Sequence, residues 1–178
     1  GCELKGKKFG IHAYGNVGRL VAEKAKALGM EVWAFDPFVP TEKMEAEGVK
    51  VPATLEELYA NCDYISLHIP ANEKTKGSIN YELLSKMPKG GCLVNTARKE
   101  VIDEAGMEKL LAERTDLKYV TDIAPANQAA LEQFAPRFFA TPKKQGAETA
   151  EANMNAGLAA ARQIVGFIER GETKFKVN

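Results

Sequence analysis

Short apolar runs alternate with segments of helical period along almost the whole chain. The runs KFGIHA (Lys8–Ala13), EVWAFD (Glu31–Asp36), DYISLH (Asp63–His68), GCLVN (Gly91–Asn95), LKYVTD (Leu117–Asp122) and FFAT (Phe138–Thr141) predict six strands. Most are continuously apolar and not alternating, the pattern of strands buried on both faces of a parallel sheet. Between them, Val17–Leu28, Leu55–Asn61, Tyr81–Met87, Asp103–Glu113 and Gln128–Phe134 read as helices, and 147–170 as one long Ala-rich helix. In the first helix Val21, Ala25 and Leu28 form a stripe suited to packing on its own sheet. Strand–helix alternation predicts an α/β fold with a doubly wound parallel sheet, whose ligands bind at the carboxyl ends of the strands.

Composition narrows the class. The 178 residues carry 24 basic and 24 acidic side chains, for a net charge of +0, and 45% are hydrophobic. That length can bury a sizeable core. The balance speaks against nucleic acid as a partner and against a polybasic membrane surface. No apolar run approaches the roughly 18 residues of a membrane span, and the N-terminal GCELKGKK has no apolar signal core. Cys2, Cys62 and Cys92 are odd in number and share no metal-ligand spacing, so neither a disulfide framework nor a metal site is expected. A cytoplasmic location is the expectation.

The end of the first predicted strand carries the chemistry. Ala13-Tyr14-Gly15-Asn16-Val17-Gly18 is a G-x-G-x-x-G loop with alanine at the first glycine, and a helical segment follows it. Gly15 would let the backbone approach a pyrophosphate, Gly18 would let helix and strand close together, and Val17 and its neighbours would aim N–H groups at the anion. Asp36 ends the second strand, 21 positions after Gly15, and Pro37 terminates it. An acidic residue at that spacing is placed to accept the hydroxyls of an adenosine ribose and to repel a 2′-phosphate. Loop, spacing and strand context together point to a Rossmann-type site for NAD in preference to NADP.

At these residues the chain resembles the NAD-dependent D-2-hydroxyacid dehydrogenases. LKGKKFGIHAYGNVGRLVAEKAKALGMEV, AFDPF, SLHIPANEKTKGSIN, LLSKMPKGGCLVNTARKEVIDE and TPKKQGAETAEAN match successive motifs of that family's coenzyme-binding domain, in order. The likeness is greatest to the D-3-phosphoglycerate dehydrogenases, in a subgroup with lysine where most relatives have a catalytic histidine. The resemblance implies that Arg98, in NTAR, holds the substrate carboxylate. A planar guanidinium suits that task, since it can grip a carboxylate with two parallel hydrogen bonds. It implies that Thr96 and Ala97 line the same pocket, that Asp122 orients the nicotinamide carboxamide, and that His68 and Pro70 flank the cofactor. His68 reads equally as a hydrogen-bonded residue at a strand end, and His12 as core. Asn16 stands where relatives often carry an arginine.

The family's histidine lies in a TPH-x-G motif. Here the chain reads Thr141-Pro142-Lys143-Lys144-Gln145-Gly146-Ala147. Alignment on the downstream GAETAEAN places Lys144 at the histidine, beside the cofactor-lining Gly146, whereas alignment on TP would place Lys143 there. Asn127 occupies the position of the glutamate that pairs with the histidine. The two changes fit each other. A base must lose its proton near neutral pH, and a carboxylate partner would hold a lysine protonated where a neutral amide and a cationic ring would not. The expectation is a catalytic set of Arg98, Lys144 and Asn127.

The resemblance further implies that 1–178 is the NAD-binding domain alone, with the long helix 147–170 part of it and the substrate domain absent. The implied reaction is hydride transfer between NAD and a small 2-hydroxy acid, a phosphorylated one for the phosphoglycerate type. The alternatives are another 2-hydroxy acid, such as glycerate or glyoxylate, and a non-catalytic NAD-sensing scaffold. Family members are commonly dimers, so a homodimer is a possible assembly.

Overall fold

The computed structural model describes residues 2–144, 146–174 and 176, and separates into two compact units, 1–142 and 143–178. In the first unit β1 (Lys8–His12), β2 (Glu31–Phe35), β3 (Tyr64–Leu67), β4 (Cys92–Asn95), β5 (Lys118–Thr121) and β6 (Phe138–Ala140) form one parallel sheet in the order β2-β1-β3-β4-β5-β6. The chain runs from β1 to β2 on one side, then crosses to β3 on the other side of β1. That reversal opens a crevice at the carboxyl ends of β1 and β3. Lys50 forms an isolated parallel bridge to Trp33 on the outer edge of β2. It is a one-residue remnant of the third strand that the 3-2-1-4-5-6 dinucleotide fold places there.

The helices are α1 (Asn16–Ala27), α2 (Thr41–Ala46), α3 (Leu55–Asn61), α4 (Tyr81–Ser85), α5 (Glu104–Glu113) and α6 (Gln128–Leu131). They build two buried clusters. One gathers Ile11, Ala22, Val32 and Met44 between α1, α2 and the sheet. The other gathers Leu58, Ile65, Leu84, Leu93, Leu110 and Tyr119 around α3, α4 and α5. Burial along β3, nearly continuous as the apolar run requires, reflects cover on both faces. The Thr54 hydroxyl caps α3 by accepting from the Glu57 N–H, and the Asn80 side chain caps α4 from Leu83.

Several expectations shift. α2 was not predicted: it is six residues long and follows Pro40, too short for periodicity to register. The Gln128–Phe134 helix is one α-turn followed by a 3-10 turn, Glu132–Phe134. The α1 stripe turns by about one residue. Gly18, Ala22 and Ala25 are buried, whereas Leu28 is exposed along with Val17 and Leu20. Small residues face the sheet because α1 lies close against it.

The second unit is dominated by α7 (Ala150–Arg170). The helix expected over 147–170 starts three residues later. Ala147 has a left-handed φ of 66°, and the Thr149 hydroxyl accepts from the Ala152 N–H as the N-cap. Gly171, at φ 65°, ends the helix, donating its N–H to Phe167.

Candidate active site

The turn after β1 carries out what its glycines predict. Ala13 takes the first-glycine position at φ 80°, a left-handed conformation that a Cβ disfavours. A Cβ on Gly18 would lie 2.5 Å from the Ala13 carbonyl oxygen, so no larger residue fits there. A Cβ on Gly15 would meet no protein atom within 4 Å, which leaves the loop open to close approach by a ligand. Gly15, Asn16 and Val17 are exposed. α1 begins without a side-chain cap or an acidic residue in its first turn, so its leading N–H groups have no competing anion.

Asp36 stands immediately after β2, the strand paired with β1. Its Oδ2 accepts from the Tyr14 N–H at 2.7 Å and its Oδ1 from the Phe38 N–H at 2.9 Å. Two backbone donors therefore hold the carboxylate against the glycine loop, with lone pairs remaining for a diol. Pro37 is exposed beside it.

At the end of β3 the His68 N–H donates to the His12 carbonyl, extending the ladder. Its Nε2 lies 3.0 Å from the Ser66 hydroxyl, and burial lowers its pKa. His12 is 8% exposed, with Nδ1 3.1 Å from the Tyr59 hydroxyl and its pKa pushed down to about 4 by burial. His12 is core, as expected, and His68 is hydrogen-bonded at the strand end, beside the crevice. Pro70 is exposed, and its carbonyl accepts from the Thr75 hydroxyl at 2.6 Å.

The end of β4 was under-read. Asn95 is fully buried. Its Oδ1 accepts from the Ala97 N–H and its Nδ2 donates to the Arg98 carbonyl, each at 3.0 Å, so one side chain fixes the turn Thr96-Ala97-Arg98 from inside. The only signal in the sequence was an asparagine closing an apolar run, where a polar residue needs partners. Arg98 is exposed, with Nη1 2.8 Å from the Ala97 carbonyl oxygen. Asn95 pairs with Thr121 across β4 and β5, and the Asp122 N–H donates to the Asn95 carbonyl. Arg98 and Asp122 thus follow neighbouring strand ends.

Asp122 Oδ1 is buried and accepts no hydrogen bond among the described residues. A buried carboxylate oxygen without a donor is costly, and a primary carboxamide would supply one. Asn127 shows the same feature: its Nδ2 donates to the Glu104 carbonyl at 3.1 Å, while its Oδ1 is buried and unpartnered. Lys144, half-buried, and Gly146, exposed, belong to the second unit. Among the described residues no cluster of His, Cys, Asp or Glu could hold a metal ion.

The open glycine loop, the fixed Asp36 carboxylate and the donorless Asp122 oxygen fit a dinucleotide, at the sheet edge where α/β proteins bind one. The comparisons agree. Residues 1–143 match the model of the D-isomer specific 2-hydroxyacid dehydrogenase NAD-binding domain, and the chain belongs to that family. It is 35% identical over 176 residues to a D-3-phosphoglycerate dehydrogenase of Methanocaldococcus jannaschii, covering 97% of this chain and 33% of that one. It is 36% identical over 173 residues to a hydroxypyruvate reductase of Thermotoga maritima, covering 92% and 54%. Among solved structures it is similar to a cofactor (NAD+)-bound 3-phosphoglycerate dehydrogenase from Entamoeba histolytica, at 49% identity and TM-score 0.87, covering 100% of this chain and 57% of that one. The chain spans between about a third and a little over half of these relatives.

Proposed function

We propose that this chain is the coenzyme-binding part of a D-3-phosphoglycerate dehydrogenase, the enzyme that opens serine biosynthesis. The observation that carries the reading is the pairing of an exposed Arg98 guanidinium with a donorless Asp122 oxygen at adjacent strand ends. One is built to hold a carboxylate, the other a carboxamide. Similarity to enzymes named for 3-phosphoglycerate supports the choice of substrate.

When bound, NAD supplies the hydride acceptor. The backbone N–H groups from Gly15 to Gly18 would hold the diphosphate, with Tyr14 behind them bonded to Asp36, and Asp36 would hold the adenosine ribose, flanked by Pro37, His68 and Pro70. Asp122 would orient the nicotinamide amide, with Thr96 and Ala97 beside it at the neighbouring strand end. Arg98 clamps the substrate carboxylate and polarises the carbon beside it. Lys144, as the free amine, would take the proton of the substrate's C2 hydroxyl, which oxidation of that alcohol to a ketone releases. Asn127, whose Oδ1 accepts no hydrogen bond among the described residues, is the neutral residue standing where the family's glutamate does. The apolar residues Val17, Leu20 and Leu28 of α1 support a homodimer. The free thiols of Cys2, Cys62 and Cys92 support a cytoplasmic enzyme.

The deciding experiment is steady-state turnover of the full-length enzyme with NADH and 3-phosphohydroxypyruvate, run beside hydroxypyruvate and glyoxylate. A preference of roughly a hundredfold or more in kcat/KM for the phosphorylated acid is expected. Equal or better use of hydroxypyruvate would move the assignment to a reductase of unphosphorylated acids. Lys144→Ala should cost about two to four decades in kcat, as loss of a general base does. Near-normal turnover would remove Lys144 from the mechanism.

A further inference from the structure

Tyr14 differs from the three loop residues that follow it. Gly15, Asn16 and Val17 face solvent, whereas Tyr14 is 2% exposed and lies with Ala22, Val32 and Met44 in the core beneath α1 and α2. Its N–H donates to Asp36, and its hydroxyl donates to Glu47 Oε2 at 3.0 Å. Glu47 directly follows α2 and is tied back to α1. The Arg19 Nε donates to Oε2 at 3.1 Å, Arg19 Nη2 donates to Oε1, and the Lys26 ammonium donates to the Glu47 carbonyl. The glycine loop and the first turn of α1 therefore meet on the Glu47 carboxylate, and the Lys26 ammonium further along α1 holds the same residue by its backbone carbonyl.

The loop has need of such an anchor. Ala13, immediately before Tyr14, is held at φ 80°, where an alanine is strained and relaxes unless its surroundings fix it. The loop's ligand groups are backbone N–H vectors, whose aim depends entirely on the backbone staying in that conformation. Burial and the bond to Glu47 push the Tyr14 phenol up to about 12, so it remains a donor across the working range of pH.

We propose that Tyr14, anchored by Glu47, is a positioning residue for the dinucleotide: the bond from its hydroxyl holds the strained Ala13 turn so that the loop's N–H groups converge on the diphosphate. It touches the cofactor through its backbone at most. Its side chain acts at a distance by pre-organising the loop. The inference rests on the reading of this loop as the cofactor's diphosphate site.

The test is calorimetric titration of the 178-residue chain with NAD, with thermal melts of each variant recorded without ligand. Tyr14→Phe removes one oxygen atom and keeps the ring in the core. It and Glu47→Ala should each weaken NAD binding about five- to tenfold, the scale on which a lost hydrogen bond and lost pre-organisation act. Glu47→Gln, whose amide oxygen can still accept from the phenol, should stay within about twofold of the unmodified chain. The double variant Tyr14→Phe/Glu47→Ala should bind no more weakly than either single one, because both cut the same link.

Lowered melting temperatures with NAD affinity unchanged would make the link merely structural and overturn the proposal. So would a Glu47→Gln loss as large as that of Glu47→Ala, which would assign the effect to charge. If Glu47→Ala does not fold, Tyr14→Phe and Glu47→Gln carry the same decision. Failure of the unmodified chain to bind NAD would refute the cofactor reading and the positioning role with it. Binding by the unmodified chain with unaltered variants would refute the positioning role alone.

Discussion

Both oxygens of Asp36 already accept a backbone N–H, from Tyr14 and Phe38, so the carboxylate is aimed before any ligand arrives. Asp36→Asn keeps the shape and one acceptor but removes the charge that would repel a 2′-phosphate. We expect NAD to bind about tenfold more weakly and most of the discrimination against NADP to vanish, both read by calorimetry. A variant that still excludes NADP would show that sterics, not charge, make the choice. His12 makes a pH prediction. Its folded pKa is depressed from 6.5 to about 4, chiefly by burial, with Asp36 opposing and His68 adding to the shift. The unfolded chain therefore takes up the proton first as pH falls. The stability tied to a neutral His12 is full above pH 6.5 and is lost down to about 4, at most about 3 kcal/mol. Urea denaturation at pH 7 and 4.5 should show that loss, and His12→Gln should show less of it over the same interval. The roles of Gly15, Gly18 and Asp36 were legible in the sequence because spacing along one strand–turn–helix is a local property. Glu47 was not, since Tyr14, Arg19 and Lys26 reach it from turns whose proximity only the folded backbone creates, and Asn95 gave no more than a polar residue closing an apolar run.

The six strands were readable as elements because two-sided burial leaves an unbroken apolar run. α2 was not, because six residues give periodicity too little to act on. What joins the elements on the far side of the sheet is an arginine cluster. Arg114, just after α5, makes two parallel bonds to Asp116 at 2.9 and 2.8 Å and reaches the carbonyls of Ser85, the last residue of α4, and of Met87 beyond it. Arg137, just before β6, donates to the carbonyls of Leu111 and Arg114. Two of these acceptors, Ser85 and Leu111, are last-turn carbonyls that the helices cannot satisfy themselves. Arg114→Ala should cost about 2 kcal/mol by chemical denaturation. The guanidinium also holds the Asp116 carboxyl well below its ordinary 3.8. The pair's contribution is therefore complete above that pH and is lost as pH falls below it, and Arg114→Ala should have a flatter acid limb than the unmodified chain. An unchanged denaturation midpoint would mean that water satisfies those carbonyls equally well.

For the whole molecule, the cofactor should be a folding ligand. NAD at a hundred times its dissociation constant should add about 2.7 kcal/mol to the stability of the chain, seen as a melting temperature that climbs with NAD and is unmoved by the same excess of an uncharged sugar. Absence of that climb would argue against a formed site. By itself the sequence determined the class of fold, the family and NAD as the cofactor, and it singled out Arg98, Asp122 and the glycine loop as the residues to examine. Each of these is written in short-range spacing or in contiguous burial. Tertiary structure decided the rest: that α1 turns Ala22 and Ala25 to the sheet and leaves Leu28 outside, that Asn95 holds the Arg98 turn from within, and that Tyr14, Asp36 and Glu47 form one support beneath the loop. For that support the physical reason is separation along the chain. A buried polar group must find its partner wherever the backbone brings one, and 22 or 33 residues of separation carry no local signal of that meeting.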